Sequence, residues 1–383
     1  MRIGFSTLSE DPNAPSGAQG YYINTVRELS EVAGDEHEIY LFVSPANEHL
    51  YGPYPRGNVK KVFFPCSNEN QRRRVLTELF GLVRVIRKYK LDVVNTGVAP
   101  FLCPCRLVVT MKTMHVYTNP KELPLATVLY RRLMYRWTTW RADAIVSNSN
   151  SHTADLQKYL GIPDKKIRLV YEALNHETFK PLSDRSIVEP DLEKLGVTGP
   201  FLLFVSSLWP YKNAEALMRS FARVKDDFPD HQLVIAGFAR DEAYAAELTA
   251  VAQSEGIEDR TVFTGGLPHE ELVKLYQTAD IFVYPSMYET FGLTILEAMA
   301  SGCPVITSNI SSMPEIAGDA AVLIDPKNQE ELAEVLRKML GDEAERQTWA
   351  KKGLVRAAEF TWRRTAEETL GAFLSVIKKE TER

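Results

Sequence analysis

Two glutamates that flank the predicted start of one helix could together bind a ligand that carries both hydroxyl groups and a phosphate. Glu289 and Glu297 stand eight residues apart, and the helix is predicted to begin at Gly292 between them. The carboxylates could accept hydrogen bonds from hydroxyl groups, and backbone N–H groups without an intrahelical acceptor could bind an anion. These N–H groups are those of Phe291, Gly292 and Leu293. The combination suits a ligand in which a phosphate joins a sugar to a nucleoside better than it suits a simple phosphate.

For either glutamate alone, the alternative is ordinary charge compensation at a helix end or a solvated surface position. The neighbours of Glu297 argue against a solvated position, because they are apolar on nearly every side of the helix. They are Leu293, Ile295, Leu296, Ala298 and Met299. A buried carboxylate without a partner is costly, so we expect Glu297 to have a hydrogen-bonding partner.

The strand before this helix belongs to a pattern that runs along the whole chain. Short apolar runs bounded by turn residues predict buried parallel strands. In the first half these are Ile3–Ser6, Glu38–Val43, Val59–Phe64, Asp92–Asn95, Leu107–Thr110 and Ala144–Ser147. In the second half they are Phe201–Ser206, Leu233–Ala236, Thr261–Thr264, Ile281–Tyr284, Val305–Thr307 and Val322–Ile324. Helical patterns lie between them, so we predict an α/β protein with doubly wound parallel sheets.

The length of 383 residues is that of about two domains. Pro181–Pro200 contains prolines and charges without a clear period, so we predict a linker there. The segments on either side would form two Rossmann-like domains that face each other across a cleft. A last helical segment, Phe360–Ile377, closes the chain.

The segment around the two glutamates resembles the donor site of a known family. Glu289, seven intervening residues and Glu297 are followed by Ser301–Ile306 and Met313–Ile316. This order is similar to that of the retaining glycosyltransferases of family 4 (group 1 glycosyltransferases), which have the GT-B fold. In that family the first glutamate contacts the donor sugar and the second contacts the ribose of the nucleotide. The resemblance extends over nearly the whole chain. It implies an acceptor-binding domain at 1–180, a donor-binding domain at 181–360 and a helix at 361–383 that crosses back to the N-terminal domain.

The same resemblance assigns roles to the loop after the strand Phe201–Ser206. The family has Gly-Arg-Leu near the start of this loop and a lysine a few residues later, and both basic groups bind the donor pyrophosphate. Lys212 matches the lysine, and a compact ammonium is a suitable phosphate partner. Ser207 stands where the arginine is expected. Because a bidentate guanidinium is missing, phosphate binding would depend on Lys212, the helix start and backbone donors, which leaves open an unusual donor or a weaker donor affinity.

Two glycines after the first strand match a loop of the family that meets the acceptor and the donor phosphates. Gly17 and Gly20 lie between this strand and a predicted helix, where glycines let a ligand approach the backbone closely. The spacing is not a full dinucleotide fingerprint. A plain turn is therefore the alternative to a ligand-binding loop at this position.

A histidine beyond the strand Leu107–Thr110 matches a further motif of the family. Thr113-Met114-His115 fits the Thr-x-His sequence whose imidazole contacts the donor sugar, and Lys112 takes this place under a shifted alignment. A purely structural histidine is the alternative. Glu172 stands where the family more often has Asn or His, and the sequence assigns it no role.

The resemblance implies a retaining glycosyltransferase that moves a hexose such as glucose or mannose from a UDP- or GDP-linked donor. Its acceptor would be a hydroxyl group of a saccharide or lipid-linked saccharide, in the synthesis of a surface polysaccharide or glycolipid. Glu289, His115 and Lys212 would be the catalytic residues. No Asp-x-Asp sequence occurs, so we expect an enzyme that needs no metal or cofactor.

Two other classes of protein compete with this interpretation. A GT-B scaffold that has lost catalysis and binds a partner is favoured by Ser207 and opposed by Glu289, Glu297 and Lys212. A nicotinamide-dependent oxidoreductase is compatible with any doubly wound fold, but the residues from Ile3 to Gly20 lack its glycine fingerprint. The first alternative predicts no sugar transfer, and the second predicts nicotinamide binding.

Charge is unevenly divided along the chain. Residues 1–180 contain 24 Lys and Arg against 17 Asp and Glu, a net charge of +7, so the remainder carries −12 of the total of −5. A basic first half suits an anionic surface or a lipid-linked acceptor. The helix predicted at Arg72–Lys90 could lie on a membrane surface. A helix packed on the sheet, with solvated basic side chains, is the alternative.

Composition bounds the cellular location that we expect. No run of eighteen apolar residues occurs, and Met1–Ser6 leads directly into a strand without a signal-peptide pattern. Cys66, Cys103, Cys105 and Cys303 have spacings that fit neither a zinc site nor a disulfide framework. We therefore expect a cytoplasmic protein with reduced thiols, open to peripheral contact with the inner face of the membrane, and without a nucleic-acid partner.

Overall fold

The computed structural model describes residues 1–10, 17–54, 56–66, 71–239 and 242–377 of the chain. Within these residues the backbone forms two parallel β-sheets, with helices in the connections between strands. The chain divides into two compact units. The first unit contains Met1–Ala173 and the C-terminal segment that begins at Thr361, and the second unit is Leu174–Phe360.

In the described part of the first unit, seven strands form one sheet. They are β1 (Arg2–Ser6), β2 (Glu38–Val43), β3 (Val59–Phe63), β4 (Val93–Asn95), β5 (Arg106–Thr110), β6 (Ala144–Ser147) and β7 (Ile167–Leu169). Their spatial order is β3-β2-β1-β4-β5-β6-β7, and every neighbouring pair is parallel. The central strands are buried on both faces, which explains why β6 consists of Ala, Ile, Val and Ser without polar alternation.

The described part of the second unit forms a sheet of six strands. They are β8 (Phe201–Val205), β9 (Gln232–Ala236), β10 (Thr261–Gly265), β11 (Ile281–Tyr284), β12 (Val305–Ser308) and β13 (Val322–Ile324). Their order is β10-β9-β8-β11-β12-β13, again with every pair parallel. Each sheet therefore has a point at which the strand order reverses, between β1 and β4 in the first and between β8 and β11 in the second.

The helices connect these strands. They are α1 (Gly17–Val32), α2 (Gln71–Leu76), α3 (Leu82–Tyr89), α4 (His115–Thr118), α5 (Leu125–Arg141), α6 (Asn150–Leu160), α7 (Glu189–Lys194), α8 (Ala214–Ala222), α9 (Glu242–Ser254), α10 (His269–Thr278), α11 (Leu293–Ala300), α12 (Met313–Ala317), α13 (Gln329–Gly341), α14 (Glu343–Ala357) and α15 (Trp362–Ile377). A π-helical segment, Thr77–Gly81, joins α2 to α3. No helix in the described ranges has both the length and the apolar character that crossing a bilayer requires.

Helix α15 belongs to the core of the first unit. It packs on α1, and the ring of Phe373 lies 6.5 Å from that of Phe5 on β1. The ring of Tyr22 from α1 lies 5.9 Å from Phe5 on another side. All three side chains are buried. The apolar face of α15 is thus buried against β1 and α1.

The twelve strands predicted from apolar runs are confirmed, with ends that differ by at most one residue. Strand β7 was not predicted, because Ile167–Leu169 has only three residues and no apolar run. The linker predicted at Pro181–Pro200 is wrong, since this segment lies inside the second unit and contains α7. Burial of Leu192 holds that helix in place, although six residues are too few to show a period.

Candidate functional site

The sheet of the second unit places two of the predicted site residues at its reversal point. Open parallel sheets bind ligands beyond the carboxyl ends of the strands at such a point, because the two loops there diverge and leave a crevice. Lys212 lies in the loop after β8, and Glu289 lies in the loop after β11. The two strands are neighbours in the sheet. Residues 77 positions apart in the sequence therefore meet at one edge.

Lys212, Glu289 and Tyr284 form a hydrogen-bonded triad at this edge. The ammonium of Lys212 donates to Oε1 of Glu289 and, over 2.9 Å, to the hydroxyl of Tyr284. The same hydroxyl donates to Oε1 of Glu289 over 2.5 Å. An ammonium has three N–H donors, and two of them are used in this triad. Among the described residues, the third N–H has no oxygen acceptor.

Electrostatics keep Lys212 charged although its side chain is almost buried. Burial by itself lowers the pKa of Lys212, but the charge of Glu289 and the hydroxyl groups of Tyr284 and Tyr211 outweigh it. The pKa of Lys212 therefore lies well above its ordinary value. The pKa of Tyr284 is raised by burial and by Glu289, so its hydroxyl stays protonated and can donate. The site thus presents a permanent positive charge in a desolvated position.

Glu297 has the partner that its apolar surroundings required. The hydroxyl of Tyr276 on α10 donates to Oε2 of Glu297 on α11 over 3.0 Å. Burial raises the pKa of Glu297 to about 7, and the hydrogen bond from Tyr276 offsets this only in part. Near neutral pH the carboxyl therefore changes between a protonated form and an ionised form. Only the ionised form accepts two hydrogen bonds on each oxygen.

The start of α11 presents unpaired backbone donors beside the triad. Gly292 is the residue before the helix and has φ of +101°, a conformation that glycine adopts readily. Among the described residues, the N–H groups of Gly292 and Leu293 donate to no acceptor. The Oγ1 atom of Thr294, in the first turn, is buried and has no hydrogen-bond partner in the described part of the chain. An anion with oxygen acceptors would satisfy these groups.

Serines from the loop before α12 hold the loop that carries Glu289. Ser311 Oγ donates to the carbonyl of Glu289 over 2.6 Å, and the N–H of Glu289 donates to Ser311 Oγ over 3.1 Å. Ser312 Oγ donates to the carbonyl oxygens of Glu289 and Phe291. These serine hydroxyls donate to carbonyl oxygens, so they do not bind the N–H groups at the start of α11. Their functional signal in the sequence is weak, because short serine runs occur in many loops.

We expect Gly292→Ala to lower the free energy of unfolding by about 1–2 kcal/mol, because an L side chain is strained at positive φ. The added Cβ would also lie 3.2 Å from Cδ1 of Ile295. Chemical denaturation measures the change. Gly371→Ala in α15 is the matched control, since the added Cβ would meet nothing within 4 Å. This substitution should stabilise the helix by about 0.5–1 kcal/mol. Equal effects of the two changes would contradict the strained helix start.

Ser207, at the position predicted for a family arginine, lies in the loop after β8 and is half-buried. This loop is held by the N–H of Leu208, which donates to the carbonyl of Phe238 over 2.9 Å. Gly237 makes the approach possible, since its φ is +146° and a Cβ there would lie 1.8 Å from the carbonyl oxygen of Ser206. The backbone is therefore held at this position by a hydrogen bond, but the side chain brings no positive charge.

Lys112 lies in the first unit and forms a buried ion pair. Its Nζ is 3.0 Å from Oε1 of Glu172 and 3.2 Å from the centre of the Tyr21 ring. Asn148 also donates to Oε1 of Glu172, over 2.8 Å. Burial lowers the pKa of Lys112, and Glu172 counteracts this shift. Glu172, which received no role from the sequence, is thus the partner of Lys112.

The remaining candidates also belong to the first unit. His115 begins α4, and its Nε2 lies 3.0 Å from Oε2 of Glu122, with both side chains largely buried. Gly17 begins α1, and Gly20 lies in its first turn. Residues 15 and 16 of the predicted ligand-binding loop are outside the described residues. The ligand-binding roles of these residues stay predictions.

Two family models match the sequence. The model described as Glycosyltransferase Family 4 matches residues 15–178, and the model described as Glycosyl transferases group 1 matches residues 189–356. The O-antigen chain mannosyltransferase B of Escherichia coli is 27% identical over 315 residues, which are 79% of this chain and 81% of that protein.

Two further relatives match over a smaller part of their own length. The serotype-specific mannosyltransferase WbdA of Escherichia coli is 27% identical over 63% of this chain and 30% of WbdA. The D-inositol 3-phosphate glycosyltransferase of Corynebacterium diphtheriae is 31% identical over 62% of this chain and 57% of that protein. The chain thus spans less than two thirds of either protein.

Solved structures resemble the whole chain. The sucrose-phosphate synthase of Thermosynechococcus elongatus superposes with a TM-score of 0.78 at 20% identity, over 99% of each chain. Alr3699/HepE of Anabaena, in complex with UDP and glucose, gives a TM-score of 0.74 at 18% identity, over 98% of this chain and all of the other. At such identities the likeness shows the fold, which is GT-B, as the sequence predicted.

Proposed function

We propose that this chain, which belongs to the group 1 glycosyltransferases of family 4, transfers a hexose from a nucleotide-diphosphate sugar to a hydroxyl acceptor with retention of anomeric configuration. Glucose or mannose, linked to UDP or GDP, is the proposed donor sugar. The name of the mannosyltransferase from Escherichia coli supports mannose, and the bound UDP and glucose of the Anabaena protein support glucose. The proposed product is a surface polysaccharide or a glycolipid.

One observation carries this proposal: the charged ammonium of Lys212 has one N–H without an oxygen acceptor among the described residues, near a helix start with unpaired N–H groups. Glu289 links the two, since it pairs with Lys212 and lies three residues before Gly292. A diphosphate would supply acceptors to both sets of donors. A sugar on one end would lie near Glu289, and a ribose on the other end would reach Glu297.

In the proposed reaction the bond between the anomeric carbon and the diphosphate oxygen breaks, which places positive charge on the sugar ring and negative charge on the leaving diphosphate. Lys212 and the N–H groups of Phe291, Gly292 and Leu293 stabilise that negative charge as it develops. The acceptor oxygen bonds to the anomeric carbon from the same face. The proton of the acceptor hydroxyl passes to the leaving phosphate, so the reaction needs no protein nucleophile.

The proposal includes an enzyme that works without a metal or cofactor, because Lys212 and the N–H groups at the start of α11 would bind the diphosphate. It also includes His115 as a contact of the donor sugar, with Lys112, Ser207, Gly17 and Gly20 as donor-binding residues. Sugar transfer that is unchanged by EDTA would support the first part. The anomeric configuration of the product, read by NMR, tests retention.

A thermal-shift panel tests donor binding directly. We expect at least one of UDP, GDP, UDP-glucose and GDP-mannose to raise the melting temperature, because a ligand at a hundredfold excess over its Kd stabilises the native state by about 2.7 kcal/mol. This corresponds to roughly 5 °C. Pyrophosphate is the control for binding by charge alone. If no nucleotide in the panel raises the melting temperature, the proposed donor site is wrong.

A catalytically impaired scaffold is the second candidate, and Ser207 in place of arginine favours it. This candidate would have the same fold as the proposed enzyme but would not catalyse sugar transfer. Donor hydrolysis or transfer above the rate without protein would exclude it. Nucleotide binding without any turnover, across the donors of the panel and a range of saccharide acceptors, would favour it over the enzyme.

We also propose a cytoplasmic location with peripheral contact at the inner face of the membrane. The net charge of +7 on residues 1–180 supports this part, because the cytoplasmic leaflet is anionic. The helix predicted at Arg72–Lys90 has Leu82 and Ile86 buried, as expected for a helix packed on its unit. The buried face of this helix therefore does not make the contact, which falls to exposed side chains of the first unit.

A further inference from the structure

Exposed apolar side chains are concentrated in one part of the first unit. Of sixteen large hydrophobic side chains that are exposed in the described residues, nine lie between residues 76 and 140. Single exposed apolar residues are normal on soluble proteins, whereas a contiguous group marks an interaction surface. The distribution therefore calls for a physical explanation.

Helix α5 turns an apolar stripe toward solvent. Leu125, Leu129 and Leu133 follow one another at intervals of four residues, and Trp140 continues the same face two turns later. Leu125 is 72% exposed, Leu133 68% and Trp140 69%. The stripe extends over about 22 Å at 1.5 Å per residue. A surface helix ordinarily places its apolar residues inward, so this helix has the reverse of the usual arrangement.

Aromatic rings extend this stripe onto neighbouring segments. The ring of Trp137 lies 5.6 Å from that of Trp140 and stacks on Phe101 at 5.7 Å. Phe101 in turn lies 6.0 Å from Phe80, and both phenylalanines are more than half exposed. We call this continuous group the α5 surface: Leu125, Leu129, Leu133, Trp140, Phe101 and Phe80.

The helix that carries most of the α5 surface is positively charged. Helix α5 contains four arginines and no Asp or Glu over its seventeen residues. Arg136 lies on the stripe itself and is exposed. On the neighbouring helical segment, Glu78 is buried and paired with Arg74 at 3.6 Å, so it adds no exposed negative charge. The surface thus combines leucine, aromatic and arginine side chains.

We propose that the α5 surface binds an anionic lipid bilayer, with the leucine and aromatic side chains inserted at the boundary between headgroups and acyl chains. Tryptophan favours that boundary, and arginine can keep its charge among lipid phosphates while its stem covers apolar surface. A second copy of the chain fits less well, because two copies of α5 would face each other with arginines and without a carboxylate from either helix. This inference extends the membrane contact proposed above and does not depend on sugar transfer.

Vesicle binding by the full chain tests the inference without any donor present. We expect cosedimentation with phosphatidylcholine vesicles that contain 30% phosphatidylglycerol, and much weaker binding to phosphatidylcholine alone. The double variant Leu129→Ser/Leu133→Ser should bind about a hundredfold more weakly, because each leucine buried in lipid contributes about tenfold. Arg136→Gln should cost about fivefold, with a smaller dependence on salt.

Val355→Ser on α14 is the matched control, because this apolar side chain is equally exposed (71%) but lies in the other unit. It should bind vesicles like the unmodified chain. Brominated lipids should quench a component of the tryptophan emission that Trp140→Phe removes. Since all the changed side chains are exposed, melting temperatures should stay within about 2 °C.

Three outcomes would overturn the inference: no binding of the unmodified chain to anionic vesicles, equal binding by the double leucine variant, or a stable dimer in solution that this variant dissociates. The last outcome would assign the surface to a second copy. The nucleotide thermal shift of the double leucine variant should equal that of the unmodified chain. A failure of membrane binding and a failure of donor binding are therefore distinguishable.

Discussion

Lys212→Met should lower kcat for sugar transfer by about 10²- to 10³-fold, because removal of one preformed group that stabilises developing charge costs about 2.7–4 kcal/mol. The family arginine is replaced by Ser207, so the chain has one fewer cation to compensate for the loss. The same change leaves Glu289 nearly buried and without its counter-charge. Breaking such a pair destabilises the fold by about 3–5 kcal/mol. Initial rates and chemical denaturation measure the two effects.

The double variant Lys212→Met/Glu289→Gln separates catalysis from stability. With both charges removed, the desolvation penalty disappears, so we expect the free energy of unfolding to return to within about 1–2 kcal/mol of the unmodified chain. Activity should not return. Lys338→Met on α13 is the control, since this lysine is 69% exposed in its pair with Glu345 and should change stability by less than about 1 kcal/mol. If activity returned together with stability, the role of Lys212 would be structural and not catalytic.

Glu297→Gln should weaken nucleotide-sugar binding by about 10- to 100-fold at pH 8, because a hydrogen bond to a charged acceptor contributes about 1.5–3 kcal/mol. In the unmodified chain the pKa of Glu297 is raised to about 7 by burial. Ribose hydroxyl groups donate to the ionised form, so affinity should rise with pH and level off above about pH 8. One pH unit below the pKa costs about tenfold. The variant should show a flat profile in isothermal titration between pH 6 and 8.

The raised pKa of Glu297 also affects stability. Donor affinity should rise with pH, whereas the stability of the fold should fall. Because the folded pKa of Glu297 lies above the ordinary value of 4.5, its favourable contribution is complete below pH 4.5 and is lost as pH rises to about 7. The loss amounts to roughly 3 kcal/mol at most. We therefore expect Glu297→Gln to be more stable than the unmodified chain above pH 7. A variant that binds the donor normally would contradict the proposed ribose contact, and a variant that loses stability at pH 8 would contradict the raised pKa of Glu297.

Much of the candidate site could be predicted because its signals are local. The apolar run Ile281–Tyr284 and the turn after it predict a strand followed by a helix start, whatever the rest of the chain does. Glu289 and Glu297 lie on either side of that start and only eight residues apart, so their positions relative to it follow from the local sequence. The resemblance to the family is likewise carried by motifs whose residues are close in sequence.

Partnerships between distant residues could not be predicted in this way. Tyr284 lies 72 residues from Lys212, and Tyr276 lies 21 residues from Glu297 on a different helix. No periodicity relates the members of either pair, because their proximity depends on which strands are neighbours in the sheet. Glu172 shows the same limitation, since only the folded first unit brings it to Lys112.

The sequence by itself determined the class of the fold, the positions of twelve of the thirteen described strands and the acidic residues around one helix start, because apolar periodicity and short motifs act over a few residues. Only the tertiary structure decided which side chains pair with Lys212 and Glu297, and that α5 presents its leucines to solvent. The amphipathic pattern of a helix indicates that one face is apolar, but it does not indicate what covers that face. Burial, charge pairing and exposure are properties of packed neighbours, and the neighbours are set by strand order.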